Sequence, residues 1–387
     1  MLIADAHQDL AWNILTFDRD YTRAAAETRR LERNSLAPER NGDTLLGWPD
    51  YQRGRVAVIF ATLFAAPERR KLGDWDACVY ANVGQAHSLY QEQLDVYHRL
   101  VDDHPDKFRL ILDQTDLNET LAPWRALDES GLEKNELEEP QEEREAPPAE
   151  EAEEEQGLLV GSVVLMEGAE GVRAPGELEE WWARGVRLIG PAWAGTRFCG
   201  GTHEPGPLTK EGYALLDGMA ELGFILDLSH MDEQAALQAL DHYPGAIVAT
   251  HANPAAMHPI EVGNRFLTDR LIHGLLERDA IIGIVPNNLF LNRAWEPTDG
   301  RQAVTLENVA AHLDYICQLA GDARHAGLGS DFDGGFGLQS VPAEIDTIAD
   351  LQKLAPVLAG RGYSDEDVAA ILGGNWLSML RLRLPET

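Results

Sequence analysis

The chain has 387 residues, 44% of them hydrophobic, and a formal net charge of −33. That length holds one large α/β barrel with extra segments, or two ordinary domains. No run of about 18 apolar residues marks a membrane-spanning helix, and the strong negative charge excludes nucleic acid and anionic membranes as partners.

Short apolar runs alternate with amphipathic stretches along the chain. The strand-like runs are Leu2–Ala6, Val56–Phe64, Ser162–Met166, Arg187–Ala192, Phe224–Leu228, Ala246–Thr250, Ile281–Val285 and Ala326–Gly329. Helical patterns fall at Trp75–Val101, Glu177–Arg184, Leu208–Leu222, Glu233–Asp241, Asp269–Arg278 and Leu306–Leu319. Repeated strand–helix units imply parallel strands with right-handed crossovers, and eight of them fit a closed (β/α)8 TIM-type barrel. A doubly wound open sheet is the competing architecture, but no Gly-rich dinucleotide fingerprint or phosphate loop follows any strand.

One segment breaks the rhythm. Between Asp128 and Glu155 stand 14 acidic residues against Lys134 and Arg144. Self-repulsion and low hydrophobicity predict a disordered acidic loop at about 128–157. It interrupts one barrel domain, 1–387, rather than dividing two, because candidate site residues lie on both sides. Cys78, Cys199 and Cys317 are far apart and odd in number, as in a protein with reduced thiols. With no basic start leading into an apolar core, and no apolar tail, a cytoplasmic location is expected.

The chemistry gathers at strand ends. Successive runs lead into His7 and Asp9, Glu167, His230, His251 and Asp331. On a barrel those ends converge at one mouth. His7 and Asp9 are two apart, so an extended strand puts both on one face, where they can grip one cation. His230 and His251 can grip a second, with Glu167 between the two. Mixed nitrogen and oxygen donors suit zinc, with manganese, cobalt or iron as alternatives. Two such cations would bind one water between them and lower its pKa. Asp331 would stand where a general base is needed, able to pass the proton to a leaving amine. Glu167 with Arg173, and the Asp331–Gly335 run, also admit plainer readings as a salt bridge and a turn. His203, in a loop after a strand, is a further residue that could face substrate. The other histidines read as surface or packing residues.

These residues resemble the renal (membrane) dipeptidases and their bacterial relatives within the amidohydrolase superfamily. The resemblance runs through His7-Gln-Asp9, Met-Glu167-Gly-Ala-Glu-Gly, Gly185-Val-Arg-Leu, Leu-Asp-Leu-Ser-His230, Ala-Thr-His251-Ala-Asn-Pro, Gly329-Ser-Asp331-Phe-Asp-Gly and Gly374-Asn375-Trp-Leu. It implies a (β/α)8 barrel holding two zinc ions. His7 and Asp9 would bind one, His230 and His251 the other, with Glu167 bridging and Asp331 as acid/base. It further implies that Arg265, in Arg-Phe-Leu-Thr-Asp269, binds the substrate carboxylate, although Phe266 stands where the family has Asn. Trp193 occupies the place of a substrate-contacting His in the mammalian enzymes; an indole offers only an N–H donor and cannot act as an acid. The expected reaction is hydrolysis of the amide bond of a dipeptide or a similar small N-acyl amino acid. Lactone or non-peptide amide hydrolysis is the alternative reaction, a non-catalytic scaffold the alternative role, and a homodimer the expected assembly.

Overall fold

The computed structural model describes residues 1–130, 157–258 and 263–386. Residues 131–156, the bulk of the acidic segment for which a loop was expected, lie outside these. Its first residues do not belong to a loop, because a helix, Gln114–Ser130, runs through them.

Each of the eight apolar runs forms a strand. They are β1 Ile3–Gln8, β2 Val56–Phe64, β3 Val160–Glu167, β4 Val186–Gly190, β5 Ile225–Asp227, β6 Ile247–Val248, β7 Ile282–Ile284 and β8 Ala326–Leu328. Neighbours in the sequence pair in parallel from β1 to β6, as do β7 with β8 and β8 with β1. The circuit closes where Ala249 N donates to Ile281 O at 3.0 Å and Gly283 N to Ala249 O at 2.8 Å. The result is a TIM-type barrel. Strands covered on both faces need no polar alternation, which is why β2 is apolar apart from its one threonine and buried throughout.

The helices start where capping residues stop the strands' register. The side chains of Thr209, Asp232 and Thr268 each accept a hydrogen bond from a backbone N–H in the first turn of the helix they precede. The helix expected from Trp75 begins only at Val83, behind the cap Asn82. The residues before it are committed elsewhere. Val79–Tyr80 pairs with Ala66–Pro67, and Trp75 stacks on Phe17 at 5.5 Å. A short strand absent from the sequence reading, Phe108–Leu110, runs beside the start of β3. The C-terminal helix Asn375–Arg383 seals the bottom of the barrel: Asn375 Nδ2 donates to the carbonyls of Ala323 and Ala326 at 2.7 and 2.8 Å. Among the described residues no helix is long and apolar enough to cross a membrane, and all three cysteines are free and buried.

Candidate metal centre and cleft

The C-terminal strand ends meet around Glu167, which closes β3. Its two carboxylate oxygens face different partners. Oε2 lies 3.6 Å from His7 Nε2, on β1. Oε1 lies 3.0 Å from His230 Nε2 and 3.3 Å from His251 Nε2, from the ends of β5 and β6. The two histidine Nε2 atoms are 2.9 Å apart. On the other side, His7 Nε2 is also 3.8 Å from Asp9 Oδ2 and 3.8 Å from Asp331 Oδ1. All six residues expected from the sequence for the metals and the general base therefore share one site.

Hydrogen bonds behind the site fix which nitrogen faces inward. Thr250 Oγ1 donates to Asp227 Oδ2 at 2.5 Å, so its lone pair accepts from His251 Nδ1 at 2.9 Å. His251 is then the Nδ1–H tautomer, with the Nε2 lone pair turned into the site. His230 Nδ1 is held at 2.8 Å by the Thr202 hydroxyl. Asp9 is held by the Thr62 hydroxyl. His230 and Asp331 adopt left-handed backbone conformations, φ 66° and 57°. Such conformations are uncommon for residues with a side chain and cost roughly 1–3 kcal/mol each.

The electrostatics are unbalanced. Burial opposes a charge on His7, but Glu167, Asp9 and Asp331 outweigh it and push its pKa up to about 10. Burial and the neighbouring Arg265 bring His230 down to about 4, and burial with His7 takes His251 well below its ordinary value. Burial raises Asp9 to about 6 and lifts Asp331 well above the carboxylate range. Burial also works against the Glu167 carboxylate, yet its three histidine neighbours hold it well below that range. Both nitrogens of fully buried His7 lack a hydrogen-bond partner among the described residues. An orphaned imidazole ringed by carboxylates, and two neutral imidazoles aimed at one carboxylate oxygen, are donor sets that fit divalent cations. Ligands about 2.1 Å from a tetrahedral zinc stand roughly 3.4 Å apart, close to the 2.9–3.3 Å found among His230, His251 and Glu167.

The site opens into a cleft of about 550 Å³ whose walls include Phe64, Trp193, Phe266 and Phe290. Trp193 lies edge-on to Phe64 with ring centroids 5.0 Å apart. Arg265 also lines the cleft. Its Nη2 donates to the His251 carbonyl at 2.9 Å, while the buried Nη1 has no partner among the described residues. A salt bridge with Asp269 is not what holds it, since Asp269 accepts from Tyr315 instead. Likewise Arg173 pairs with Glu177, leaving Glu167 to the histidines. His203 reaches the cleft from an exposed loop position.

Several supporting residues escaped the sequence reading. Asp333, two after Asp331, is fully buried. It accepts from Tyr21 and Thr44 at 2.8 and 2.5 Å, from Leu45 N at 3.0 Å, and pairs with Arg19 at 3.0 Å. These bonds pin the turn that carries Asp331. Gly334 completes it: a Cβ there would meet Asp331 Oδ1 at 2.2 Å and Asp9 Oδ2 at 2.6 Å. Thr62, Thr202, Thr250 and Asp227 were missed as well. For Asp227 the signal was present, a charged residue inside the apolar run Ile-Leu-Asp-Leu, which must find partners once buried.

Comparison with known proteins bears on the family and the fold. The model of the membrane dipeptidase family, peptidase family M19, matches residues 139–382. A Klebsiella pneumoniae protein described as an uncharacterized protein in the pqqA 5′ region is 32% identical over 235 residues, 58% of this chain and 82% of that one. Among solved structures, the metallo peptidase dipeptidase AC superposes with a TM-score of 0.72 at 21% identity, covering 99% of each chain. A Rhodobacter sphaeroides metallo peptidase, solved with a phosphinate mimic of the dipeptide L-Ala-D-Ala, gives 0.71 at 21% identity over 100% of this chain and 99% of that one. These two share the fold, and the family match assigns the lineage: the chain is a hydrolase of the membrane dipeptidase family, peptidase family M19.

Proposed function

We propose that this barrel hydrolyses the amide bond of a dipeptide, or of a similar small N-acyl amino acid, at a pair of divalent cations, zinc foremost. The observation that carries this reading is the convergence of His230 Nε2, His251 Nε2 and Glu167 Oε1 within 3.3 Å of one another, beside the orphaned His7. Lone pairs aimed together in a buried site repel unless a cation lies among them. His7 and Asp9 would hold one cation, His230 and His251 the other, and Glu167 both. When bound, the pair supplies Lewis acidity and a bridging water of lowered pKa.

The chain's own groups do the rest. Asp331, with its raised carboxyl pKa, takes a proton from water and returns it to the leaving amine. The unpartnered Nη1 of Arg265 meets the substrate carboxylate, since a buried guanidinium favours a bidentate anion. Trp193 supplies an apolar wall and an N–H donor. The cytoplasmic location, the homodimer and the single interrupted domain belong to the same reading.

Metal analysis with a dipeptide panel of L,L and L,D pairs, run beside lactones, tests it. Two equivalents of metal and hydrolysis of dipeptides are expected. Purified protein without stoichiometric transition metal, or His230→Ala with full metal content and activity, overturns it. Turnover of lactones alone transfers the site to the alternative reaction.

A further inference from the structure

Among the described residues, two arginines reach the cleft without a carboxylate partner. Arg265 is one, and Arg293 is the other. Arg293 lies in the loop beyond β7, just after the short helix Asn288–Leu291. Its guanidinium stands 5.9 Å from the centre of the Phe266 ring, and that of Arg265 stands 5.3 Å from Phe290. The two rings meet edge to face, 5.3 Å apart. An aromatic pair thus carries one guanidinium on each ring, and both cations line the same cavity.

Arg293 forms no salt bridge among the described residues, and its buried Nε has no hydrogen-bond partner. That is unusual in a chain with 65 acidic residues against 32 basic ones. Surface arginines here find carboxylates readily. Arg70, the third arginine of the cleft, is tied to Glu204 at 2.8 Å. The neighbour that shares the Phe266 ring with Arg293, His258, does not supply an anion; burial and Arg293 itself keep it neutral, with a pKa near 4. A cation held against an aromatic face in a partly desolvated cleft, with its polar edge unused, is a receptor for an anionic group.

We propose that Arg293 is a specificity-determining residue that binds a second carboxylate, on the side chain of the substrate's C-terminal residue. The favoured substrates are then dipeptides, or N-acyl amino acids, that end in aspartate or glutamate. This rests on the reading that Arg265 holds the main-chain carboxylate. With that group anchored next to Phe290, an acidic side chain one to two methylenes long extends towards the neighbouring ring.

Binding and turnover test it separately. Calorimetry with metal-loaded protein would compare N-ethyl-aspartate, in L and D forms, with N-ethyl-asparagine, amines that carry no scissile main-chain amide. The acid is expected to bind at least tenfold more tightly, and Arg293→Met to bring the two within about threefold. Arg293→Glu is expected to reverse the order. In turnover, Ala-Asp should exceed Ala-Asn by a similar ratio that the same substitutions erase. Equal affinities in the unaltered protein, or a ratio that survives Arg293→Met, overturn the inference. Failure to hydrolyse any dipeptide would instead count against the proposed reaction, while the binding ratio still decides the role of Arg293.

Discussion

Thr250 orients His251: its hydroxyl oxygen lies 2.9 Å from His251 Nδ1 while its proton goes to Asp227. The histidine is therefore presented to the site in one tautomer, by a residue that never enters the site. Thr250→Val keeps the volume and removes both bonds. Loss of such a supporting partner typically lowers metal affinity about 10–100-fold. Competition with a calibrated chelator measures it, and Thr250→Ser should restore most of the loss. An unchanged affinity in the valine variant would show that the barrel alone orients the ring.

Gly334 allows Asp331 and Asp9 to approach the same point. An alanine Cβ would lie 2.2 Å from one carboxylate and 2.6 Å from the other, so both must move. Displacing a reacting group by about 1 Å can cost on the order of 100-fold in rate. Gly334→Ala is expected to lose at least that much in kcat while remaining folded. Steady-state kinetics beside circular dichroism separates the two effects.

Asp333 neutralises Arg19 in the interior, where both side chains are nearly inaccessible. Asp333→Ala leaves that guanidinium buried with Glu32, 3.2 Å from its Nε, as its remaining carboxylate partner among the described residues. Removing one member of a buried pair costs about 3–5 kcal/mol, so the urea midpoint should fall markedly. Asp333→Asn keeps part of the hydrogen bonding and should cost less. A midpoint unmoved by the alanine substitution would contradict the anchoring role.

His312 gives the fold a pH dependence of definite sign. It is 1% exposed, and burial with neighbouring His258 brings its pKa to about 4. Unfolded, the side chain titrates near 6.5. Above that value neither state is protonated, and the residue contributes no pH dependence. As pH falls from 6.5 towards 4, only the unfolded chain takes up the proton, and stability drops by about 1.4 kcal/mol per pH unit. Urea denaturation at pH 7, 6 and 5 should show this slope. His312→Gln, uncharged throughout, should flatten it by that increment.

Much of the architecture could be read from the chain itself because burial on both faces forces long apolar runs, and each run keeps its polar terminus. His7, Asp9, Glu167, His230, His251 and Asp331 all lie at such termini, so one pattern located both the strands and the residues of the candidate site. Thr62, Thr202 and Thr250 are invisible to it, since threonine is common in and around strands whatever its hydroxyl binds. Asp333 looked like a turn residue because Asp and Gly favour turns; its partners Arg19, Tyr21 and Thr44 lie about 300 positions away in sequence. The late start of the helix at Val83 was concealed for a similar reason. Trp75 and Asp76 continue the helical pattern, but Asp76 is bound to the Trp12 indole at 2.9 Å and Trp75 to an aromatic cluster.

The barrel's seam lies between its first and last strands, where Asp331 N donates to His7 O at 3.1 Å and Gln8 pairs with Phe332. Assembly of the candidate site is for that reason a late event in the life of each molecule. Ribosomes add ~5–20 residues per second, so the histidine and aspartate of the first strand wait on the order of tens of seconds for their closing partner. Until then that strand has an open edge, which nascent chains must shield from pairing elsewhere. Non-local closure of this kind slows folding.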